Sequence, residues 1–549
     1  MNKNIKICVY IGLLAVSLRI IYLYWVYIPA LIEYIQYPIN KNQPVTWKKP
    51  LQQENKIDPN KPNVVLILTD DIGYNDITRY GGGFYNGKIK TPNIDSIGLN
   101  GISFTNAYAG HATCAPSRAA LLTGKYASNV GFEFTPASST GSWILGSLMG
   151  NGKLHGIYHR KNAASLSTAN MTVPSSEVMI PAALREHGYR SIHLGKWHLG
   201  FDEHSRPLSR GFDETLGFDI IARYLPFGDS RSVNCEFDDF FDRYLWANVR
   251  YEVSKDSGPH FAPQGYLSDY LAEEAANAIT ANKDMPFFMY LAFTSMHTPL
   301  QALQSDYEAV KTLDPNGDLS HCQRVYGAML LALDRAVGTV LDALRDNGLT
   351  ENTIVIFTND NGGVGLMPDL NRPYRGWKAT FFEGGVRVPM LVQWPQRVPK
   401  GVISDGVVSH IDIFPTIAHA AGAEVPNGID GVSLLQHMQG NLSSDAHDEL
   451  FWRSGHYMAL RKGHWKLQVS SNPVKMWLYD LKADSTEQTN LAYSEGHRDK
   501  LQEMLTSLQA VNLAQHDPLW PSLSETPILI DKLFHDRYVD GDEYIYWPN

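Results

Sequence analysis

Cysteine and net positive charge are both scarce in this chain of 549 residues. Four cysteines in so long a sequence do not imply a disulfide framework, and their number does not fix the redox compartment. Lysine and arginine number 47 against 57 acidic residues, a net charge of −10, so nucleic acid is not predicted as a partner. A composition of 44% hydrophobic and 19% charged residues is typical of a globular protein, and the length permits two domains.

Long hydrophobic runs are also absent from the sequence, except at its N-terminus. Two lysines precede an apolar stretch over residues 7–32, whose only charge is Arg19. The first half of the stretch has the length of a signal-peptide core, whereas the whole is long enough to span a bilayer. We therefore predict that residues 1–35 are a signal peptide or a membrane anchor and that residues 36–60 are a linker. Both alternatives predict an exported protein, which is periplasmic, secreted or membrane-anchored facing outside.

The most informative pattern is Cys-Ala-Pro-Ser-Arg-Ala-Ala-Leu-Leu-Thr-Gly at residues 114–124. Pro116 is predicted at the first position of a helix, where its missing N–H would be unpaired anyway, and Gly124 ends the helix. The free N–H groups and the positive dipole end of such a helix suit a tetrahedral oxyanion. Arg118, one turn after Cys114, adds donors to the same place. This pattern predicts a reactive residue at position 114, with a buried structural cysteine as the alternative.

Helices and apolar strands alternate along most of the chain. The first strand is predicted at 64–68, and later units pair a helix with a strand at 179–186 and 191–194, at 268–281 and 287–293, and at 325–347 and 353–357. This alternation predicts an α/β fold with a large central, mostly parallel mixed sheet sandwiched by helices. Near residue 445 the pattern changes to short strands and a helix. We therefore predict a catalytic domain at 61–444 and a smaller α+β domain with an antiparallel sheet, plus a tail, at 445–549.

Two long segments interrupt this alternation. Residues 133–174 are rich in glycine, serine and asparagine and show no sustained periodicity, so we predict an insertion that carries binding function. Together with residues 219–265, this insertion could line a cleft for an anionic sugar chain. The pattern of residues 515–549 gives no structural assignment.

Four of the predicted strands are each followed by side chains that bind ligands or charges. These side chains are Asp70 and Asp71, Lys196 and His198, His297, and Asp360 and Asn361. Because ligands bind at the carboxyl ends of strands in open α/β sheets, we expect them to form one site. The aspartates and Asn361 offer only oxygen ligands, which favours a hard cation, Ca²⁺ or Mg²⁺. Helix capping is the plainer explanation for an isolated pair of aspartates.

These motifs together resemble the type I, formylglycine-dependent sulfatases of the alkaline phosphatase superfamily. Cys-x-Pro-Ser-Arg with Leu-Thr-Gly is similar to the first signature of that family, and both oxygen-ligand pairs have counterparts in it. Three further segments are similar to the second signature, the histidine motif and the segment of the last active-site lysine, namely 188–198, 295–299 and 375–389. The resemblance extends from about residue 62 to residue 510.

The resemblance implies a modified residue, a metal and a set of catalytic side chains. Cys114 would be oxidised to Cα-formylglycine by a formylglycine-generating or equivalent sulfatase-maturing enzyme. The metal, Ca²⁺ or alternatively Mg²⁺, would be held by Asp70, Asp71, Cys114, Asp360 and Asn361. The catalytic residues would be Cys114, Arg118, Lys196, His198, His297 and Lys378. With Cys8 in the leader and Cys114 modified, Cys235 and Cys322 are the one pair left, and whether they form a disulfide stays open.

The implied activity is hydrolysis of a sulfate ester, either a sulfated carbohydrate or an aryl sulfate, with release of inorganic sulfate. Formylglycine hydrate would attack sulfur, His297 would protonate the leaving alcohol, and His198 would deprotonate the second hydroxyl. One alternative is a phosphonate monoester or phosphodiester hydrolase of the same superfamily. A more remote alternative is a non-catalytic binding protein on a sulfatase scaffold, against which the intact motifs argue.

Overall fold

The central element of the fold is a large mixed sheet. The computed structural model describes residues 10, 13–14, 16–17, 19, 24–49, 61–440 and 444–549. Among these residues, nine strands form one sheet, in the spatial order Val402–Ser409, Ile102–Tyr108, Met390–Gln393, Thr353–Asn359, Asn63–Thr69, Phe287–Ala292, Arg190–Lys196, Glu214–Phe218 and Ser254–Lys255. Most neighbouring strands of this sheet are parallel. The antiparallel pairs are those that involve Met390–Gln393 or Ser254–Lys255. The predicted mostly parallel α/β sheet is therefore confirmed.

The strand Asn63–Thr69 lies in the middle of this sheet and is buried at every position. It pairs in parallel with Phe287–Ala292 on one side and with Thr353–Asn359 on the other. Its alternate side chains enter two separate apolar clusters, Val65 and Ile67 on one face and Val64 and Leu66 on the other. A continuous apolar run, rather than an alternating one, is what a strand covered by helices on both faces requires. The carboxyl ends of the three strands consequently lie side by side.

The helices cover both faces of the sheet. Their bounds are Tyr27–Gln36, Pro92–Leu99, Cys114–Thr123, Ala127–Val130, Ser139–Ser147, Arg160–Ser165, Ile180–Arg185, Phe240–Asn248, Leu267–Asn282, Gln304–Leu313, His321–Asp346, Glu383–Val386, Ile413–Ala421, Leu435–Gln439 and Arg498–Leu513. The longest of them, His321–Asp346, begins four residues before its predicted start. Ser320 provides a capping box there, since its side chain accepts from the Gln323 amide and the Gln323 side chain accepts from the Ser320 amide.

The C-terminal domain contains the predicted antiparallel sheet. Its strands are Glu449–Ser454, Tyr457–Lys462, Trp465–Ser471 and Val474–Asp480, each paired with the next, and the helix Arg498–Leu513 packs against them. The first of these strands is absent from the sequence prediction. This strand is almost completely buried, because it lies between the two domains and contributes side chains to the apolar clusters on both sides.

The tail and the 133–174 insertion, which were left without assigned secondary structure, form a small sheet together. Ser524–Leu529 pairs with Tyr544–Pro548 and with Ile157–Tyr158 of the insertion, all antiparallel. The insertion also contains the helices Ser139–Ser147 and Arg160–Ser165. The insertion strand finds its partner about 370 residues away and shows no local pattern of its own. The tail strand Ser524–Leu529 pairs mainly with nearby Tyr544–Pro548, but it contains Pro527, a residue that argues against a strand.

About half of the predicted leader at 1–35 lies outside the described residues. Its last part enters the helix Tyr27–Gln36, of which Ala30 is buried. Within the part of the chain that the structure describes, no helix combines the length and the apolar character needed to cross a membrane. The open question about Cys235 and Cys322 is answered, since the two form a disulfide with Cα atoms 5.1 Å apart.

Candidate active site

Cys114 lies at the first position of its helix, not two residues before it. The helix spans Cys114–Thr123, so Pro116 occupies the third position, and the prediction that Pro116 begins the helix is wrong. Proline fits there for the same physical reason, because none of the first-turn N–H groups has an intrahelical partner. Gly124 ends the helix with φ of 68°, as predicted. The Cys114 side chain therefore emerges at the helix N-terminus while remaining only 3% exposed.

Asp70 brings three predicted site residues together. Its carboxylate lies 2.5 Å from Lys196 Nζ, 3.3 Å from Cys114 Sγ and 3.8 Å from an Arg118 nitrogen. Asp70, Lys196 and Arg118 are fully buried. Although burial opposes ionisation, the positive charges of Lys196 and Arg118 hold the pKa of Asp70 well below its usual range. The carboxylate is consequently an anion within a cage of cations.

The position of Lys196 depends on the glycine before it. Gly195 has φ of 96°, and a Cβ atom there would lie 2.0 Å from the carbonyl oxygen of Ala292 on the neighbouring strand. Only glycine allows the two strand backbones to approach this closely. The backbone can then turn so that Lys196 points towards Asp70.

Asp360 and Asn361 follow the strand Thr353–Asn359 and each leave an oxygen without a partner. Arg118 donates to Asp360 Oδ2 from Nε at 3.0 Å and from Nη2 at 2.7 Å. Among the described residues, the other oxygen, Oδ1, has no hydrogen-bond partner although it is buried, and the same holds for Asn361 Oδ1. Burial and the charge of Asp70 raise the pKa of Asp360 to about 6.

These free oxygens fit a hard cation. Asp70, Asp71, Cys114 and Asp360 offer ligand atoms that all lie within 4.8 Å of one another. Buried polar atoms without partners are costly in a folded protein, and a cation would satisfy those of Asp360 and Asn361. The donor set is the one predicted for Ca²⁺ or Mg²⁺.

Lys378 connects the helix N-terminus with the second aspartate. Its Nζ donates to Asp71 Oδ1 at 2.6 Å and to Cys114 Sγ at 2.9 Å. Burial opposes its charge, but Asp71 and Cys114 outweigh this effect and hold the pKa of Lys378 well above its usual range. By contrast, burial together with the carboxylates of Asp360 and Asp70 raises the pKa of the Cys114 thiol. The unmodified cysteine is therefore a poor thiolate nucleophile.

The two histidines border this cage with different hydrogen bonding. His297 Nδ1 donates to the carbonyl of Thr298 at 2.7 Å, which leaves Nε2, 3.7 Å from Asp71 Oδ2, directed into the site. Burial and the charge of Lys378 lower the pKa of His297. In the described structure neither ring nitrogen of His198 has a partner, and burial with Lys196 and Arg118 lowers its pKa well below the usual range. Both imidazoles are accordingly neutral and able to accept a proton.

Two residues of the site have an unusual backbone conformation. Asp71 has φ of 63° and His198 has φ of 65°, in the left-handed region that residues with a side chain rarely adopt. Such conformations persist only where surrounding contacts impose them. The Asp71 carboxylate accepts from both Asn361 and Lys378, and the His198 amide donates to the Asp219 carbonyl at 2.6 Å.

All of the predicted catalytic and metal-binding residues converge in this one cluster. Two tyrosines in its surroundings were not predicted. The hydroxyl of Tyr290 lies 3.4 Å from Arg118 Nη1, and the hydroxyl of Tyr224 donates to the carbonyls of Thr294 and His297. In the sequence, Tyr290 lies within an apolar strand and Tyr224 lies in a segment without a periodic pattern. No local pattern therefore marks either tyrosine as part of the site.

The sequence and the fold match those of known sulfatases. The family model named sulfatase matches residues 62–423, and the model of the N-sulphoglucosamine sulphohydrolase C-terminal region matches residues 375–514. The chain is 31% identical to N-acetylgalactosamine-6-sulfatase of Canis lupus familiaris over 429 residues, which cover 74% of this chain and 72% of that protein. It is 30% identical to a sulfatase of Formosa agariphila, with coverage of 80% and 86%.

Solved structures agree with this relationship. The crystal structure of Ps i-CgsB in complex with k-i-k-neocarrahexaose superimposes with a TM-score of 0.67 and 30% identity, covering 84% of this chain and 94% of that one. The family model and this structural match place the chain among the hydrolases of the alkaline phosphatase superfamily. The chain belongs to the sulfatase family and is a sulfuric ester hydrolase.

Arg118 has a structural role that can be measured separately from catalysis. Its replacement by alanine is expected to lower the free energy of unfolding by about 3–5 kcal/mol, because Asp360 would remain buried without its bidentate partner. Denaturant unfolding in the presence of a chelator measures this loss without compensation by a cation. The control is Arg345→Ala, which removes an exposed pair with Asp342 and should cost about 0.5 kcal/mol or less. Equal stability of the two variants would contradict the assignment.

Proposed function

We propose that this sulfatase uses Cα-formylglycine at position 114 and a divalent cation to hydrolyse sulfate esters of a carbohydrate. The observation that supports the proposal most directly is the placement of the Cys114 side chain between Asp70 and Lys378 at a helix N-terminus. A thiol with a raised pKa does not suit nucleophilic attack, whereas an aldehyde hydrate at this position needs no thiolate.

The cation would be held by Asp70, Asp71, Asp360 and Asn361, together with residue 114. We infer Ca²⁺ and keep Mg²⁺ as the alternative, since all four side chains offer oxygen. When bound, such an ion supplies positive charge that stabilises the negative charge developing on the sulfuryl oxygens. The free oxygens of Asp360 and Asn361 support this assignment.

The remaining residues stabilise charge and move protons. A hydroxyl of the formylglycine hydrate would attack sulfur and release its proton. His198 would then take the proton of the second hydroxyl, so that sulfate leaves and the aldehyde is restored. His198 suits this role because its imidazole is neutral and, among the described residues, has no partner at either nitrogen. Lys196 and Lys378 add positive charge next to residue 114, and Arg118 holds Asp360 in place. His297 Nε2, which carries no proton while Nδ1 donates to the Thr298 carbonyl, would take up the proton that the attacking hydroxyl releases and pass it to the leaving alcohol.

A carbohydrate is the substrate class that the relatives favour. One similar protein is named for N-acetylgalactosamine, and another is seen in complex with k-i-k-neocarrahexaose. Their identity to this chain is 31% and 30%, so the particular sugar is not transferred from either of them. Desulfation of a panel of defined sulfated oligosaccharides, with an aryl sulfate for comparison, identifies it.

Export and maturation complete the proposal. The disulfide between Cys235 and Cys322 is typical of a protein that folds in an oxidising compartment, as the predicted leader suggests. Cys114 is only 3% exposed in the folded chain, so a formylglycine-generating or equivalent maturing enzyme would have to reach it before folding. The anchor and the signal peptide stay alternatives within this proposal.

The test of the proposed function is the chemical state of residue 114. Enzyme produced with a maturing enzyme should contain formylglycine at this position by peptide mass spectrometry, and Cys114→Ala should lose sulfatase turnover while keeping the fold. Fully active protein with an unmodified cysteine would overturn the mechanism. Faster turnover of an aryl phosphonate than of the matching aryl sulfate would favour the phosphonate hydrolase instead.

Removal of the cation is expected to lower both activity and stability. A cation whose free concentration is about 100 times its dissociation constant adds about 2.7 kcal/mol to the free energy of unfolding. Chelation should therefore lower the melting temperature, and Ca²⁺ or Mg²⁺ should restore it. Asn361→Ala should respond more weakly to added metal, because it loses one ligand. A melting temperature that chelator and metal leave unchanged would contradict the site.

Leaving-group dependence tests the role of His297. A general acid matters most when the departing alcohol is a poor leaving group. His297→Ala is therefore expected to lose at least about tenfold more kcat/KM on a sugar sulfate than on nitrophenyl sulfate. The matched control is Lys196→Ala, which should lower both values similarly, because the sulfuryl group is common to the two substrates. Equal losses for His297→Ala would leave this residue as a sulfate-binding group.

A further inference from the structure

Lys378 lies on a loop whose two ends meet. The loop spans residues 375–384, and the amide of its last residue donates to the carbonyl of its first at 2.7 Å. At its centre, Lys378 Nζ reaches both Cys114 Sγ and Asp71 Oδ1 within 3 Å. A change at the base of the loop would therefore shift the ammonium group relative to both atoms.

The first residue of the loop, Arg375, is fixed by the C-terminal tail. Its guanidinium donates to both carboxylate oxygens of Asp531 at 2.5 Å and to Glu543 at 2.6 Å. A further nitrogen donates to the hydroxyl of Tyr479 at 2.9 Å. The Arg375 side chain is only 10% exposed, so these ion pairs are shielded from solvent more than ordinary surface pairs.

The other end of the loop is fixed by the C-terminal domain. The amide of Glu383 donates to Glu487 at 2.5 Å, and Lys466 bridges the two carboxylates at 2.8 and 3.1 Å. The carbonyl of Glu487 also accepts from Arg375, so a single residue contacts both ends of the loop. Glu487 is fully buried with φ of 58°, a left-handed conformation that these contacts impose.

None of these partners belongs to the catalytic domain. Lys466, Tyr479 and Glu487 come from the C-terminal domain, whereas Asp531 and Glu543 lie in the tail, beyond residue 514, where the second family model ends. The tail also contacts the catalytic domain, because the amide of Phe534 donates to the carbonyl of Gly365 at 2.6 Å. Residues outside the family signatures thus contact the loop that carries one of its lysines.

We propose that the C-terminal domain and tail clasp the loop 375–384 at both ends and thereby position Lys378, with Arg375, Asp531 and Glu543 as positioning residues. The proposal rests on the catalytic role of Lys378 in the proposed function. Charge stabilisation depends on the distance between Lys378 and the reacting sulfuryl group, and a misplacement of about 1 Å can cost about a hundredfold in rate.

The test is a double-mutant cycle between the clasp and Lys378. Asp531→Asn combined with Glu543→Gln should lower kcat about tenfold or more and change KM little, because the substrate pocket remains. In a Lys378→Ala background, the same two substitutions should change kcat less than about twofold. Hydrogen–deuterium exchange of the peptide that contains residues 375–384 should become faster in the clasp variant.

Asp540→Asn is the matched control. Asp540 lies in the same tail but pairs with Lys153 at the surface, where both side chains are mostly exposed. This variant should leave both kcat and the exchange of the loop unchanged. If the double clasp variant does not fold, Asp531→Asn alone carries the test, because the Asp531 side chain is half exposed.

The outcomes separate this proposal from the proposed function. Equal losses in the wild-type and Lys378→Ala backgrounds would show that the clasp only stabilises the fold, and unchanged kcat in the clasp variant would overturn the proposal directly. Full activity of Lys378→Ala would instead show that Lys378 has no part in the mechanism. The contacts of the C-terminal domain and tail with the loop would then not act on catalysis through Lys378.

Discussion

The arrangement of this protein depends on a buried carboxylate, Asp70, that stays ionised. Placed away from water, a carboxylate would be strongly destabilised unless cations surround it. Lys196 Nζ lies at 2.5 Å and an Arg118 nitrogen at 3.8 Å, and all three side chains are fully buried. Arg118 in turn pairs with Asp360, so the charges form a continuous alternating network. Each of these groups requires the others to be in place.

The central sheet provides the rigidity that this network needs. Asp70 and Asp360 follow neighbouring parallel strands that share a register from residue to residue, which fixes the separation of their carboxylates. The helix Cys114–Thr123 brings Arg118 to the network from a second direction. The loop that carries Lys378 brings this lysine to it from a third direction. Rigid backbones on both sides hold these long side chains in one geometry.

The sequence predicted the site better than its surroundings, for a physical reason. The chemistry proposed for Cys114, His198 and Lys378 restricts both residue type and spacing, so short motifs point to these residues. The helix start at Cys114 was misplaced by two residues, because proline is tolerated throughout the first turn. The tail strand Ser524–Leu529 could not be assigned, since it is buried at every position and contains Pro527, and so lacks the alternation and composition typical of a strand.

A chain with a net negative charge can still bind an anionic substrate, because local charges and not the net charge act at the site. The net charge of −10 is spread over a solvated surface, where water and salt screen it. Lys196 is fully buried and the side chain of Lys378 is 17% exposed, so the low local polarisability strengthens the effect of each charge. Such cations are stable only next to carboxylates, and Asp70 and Asp71 serve that purpose. Local pairing and burial, and not the overall charge, therefore decide which substrate the site can hold.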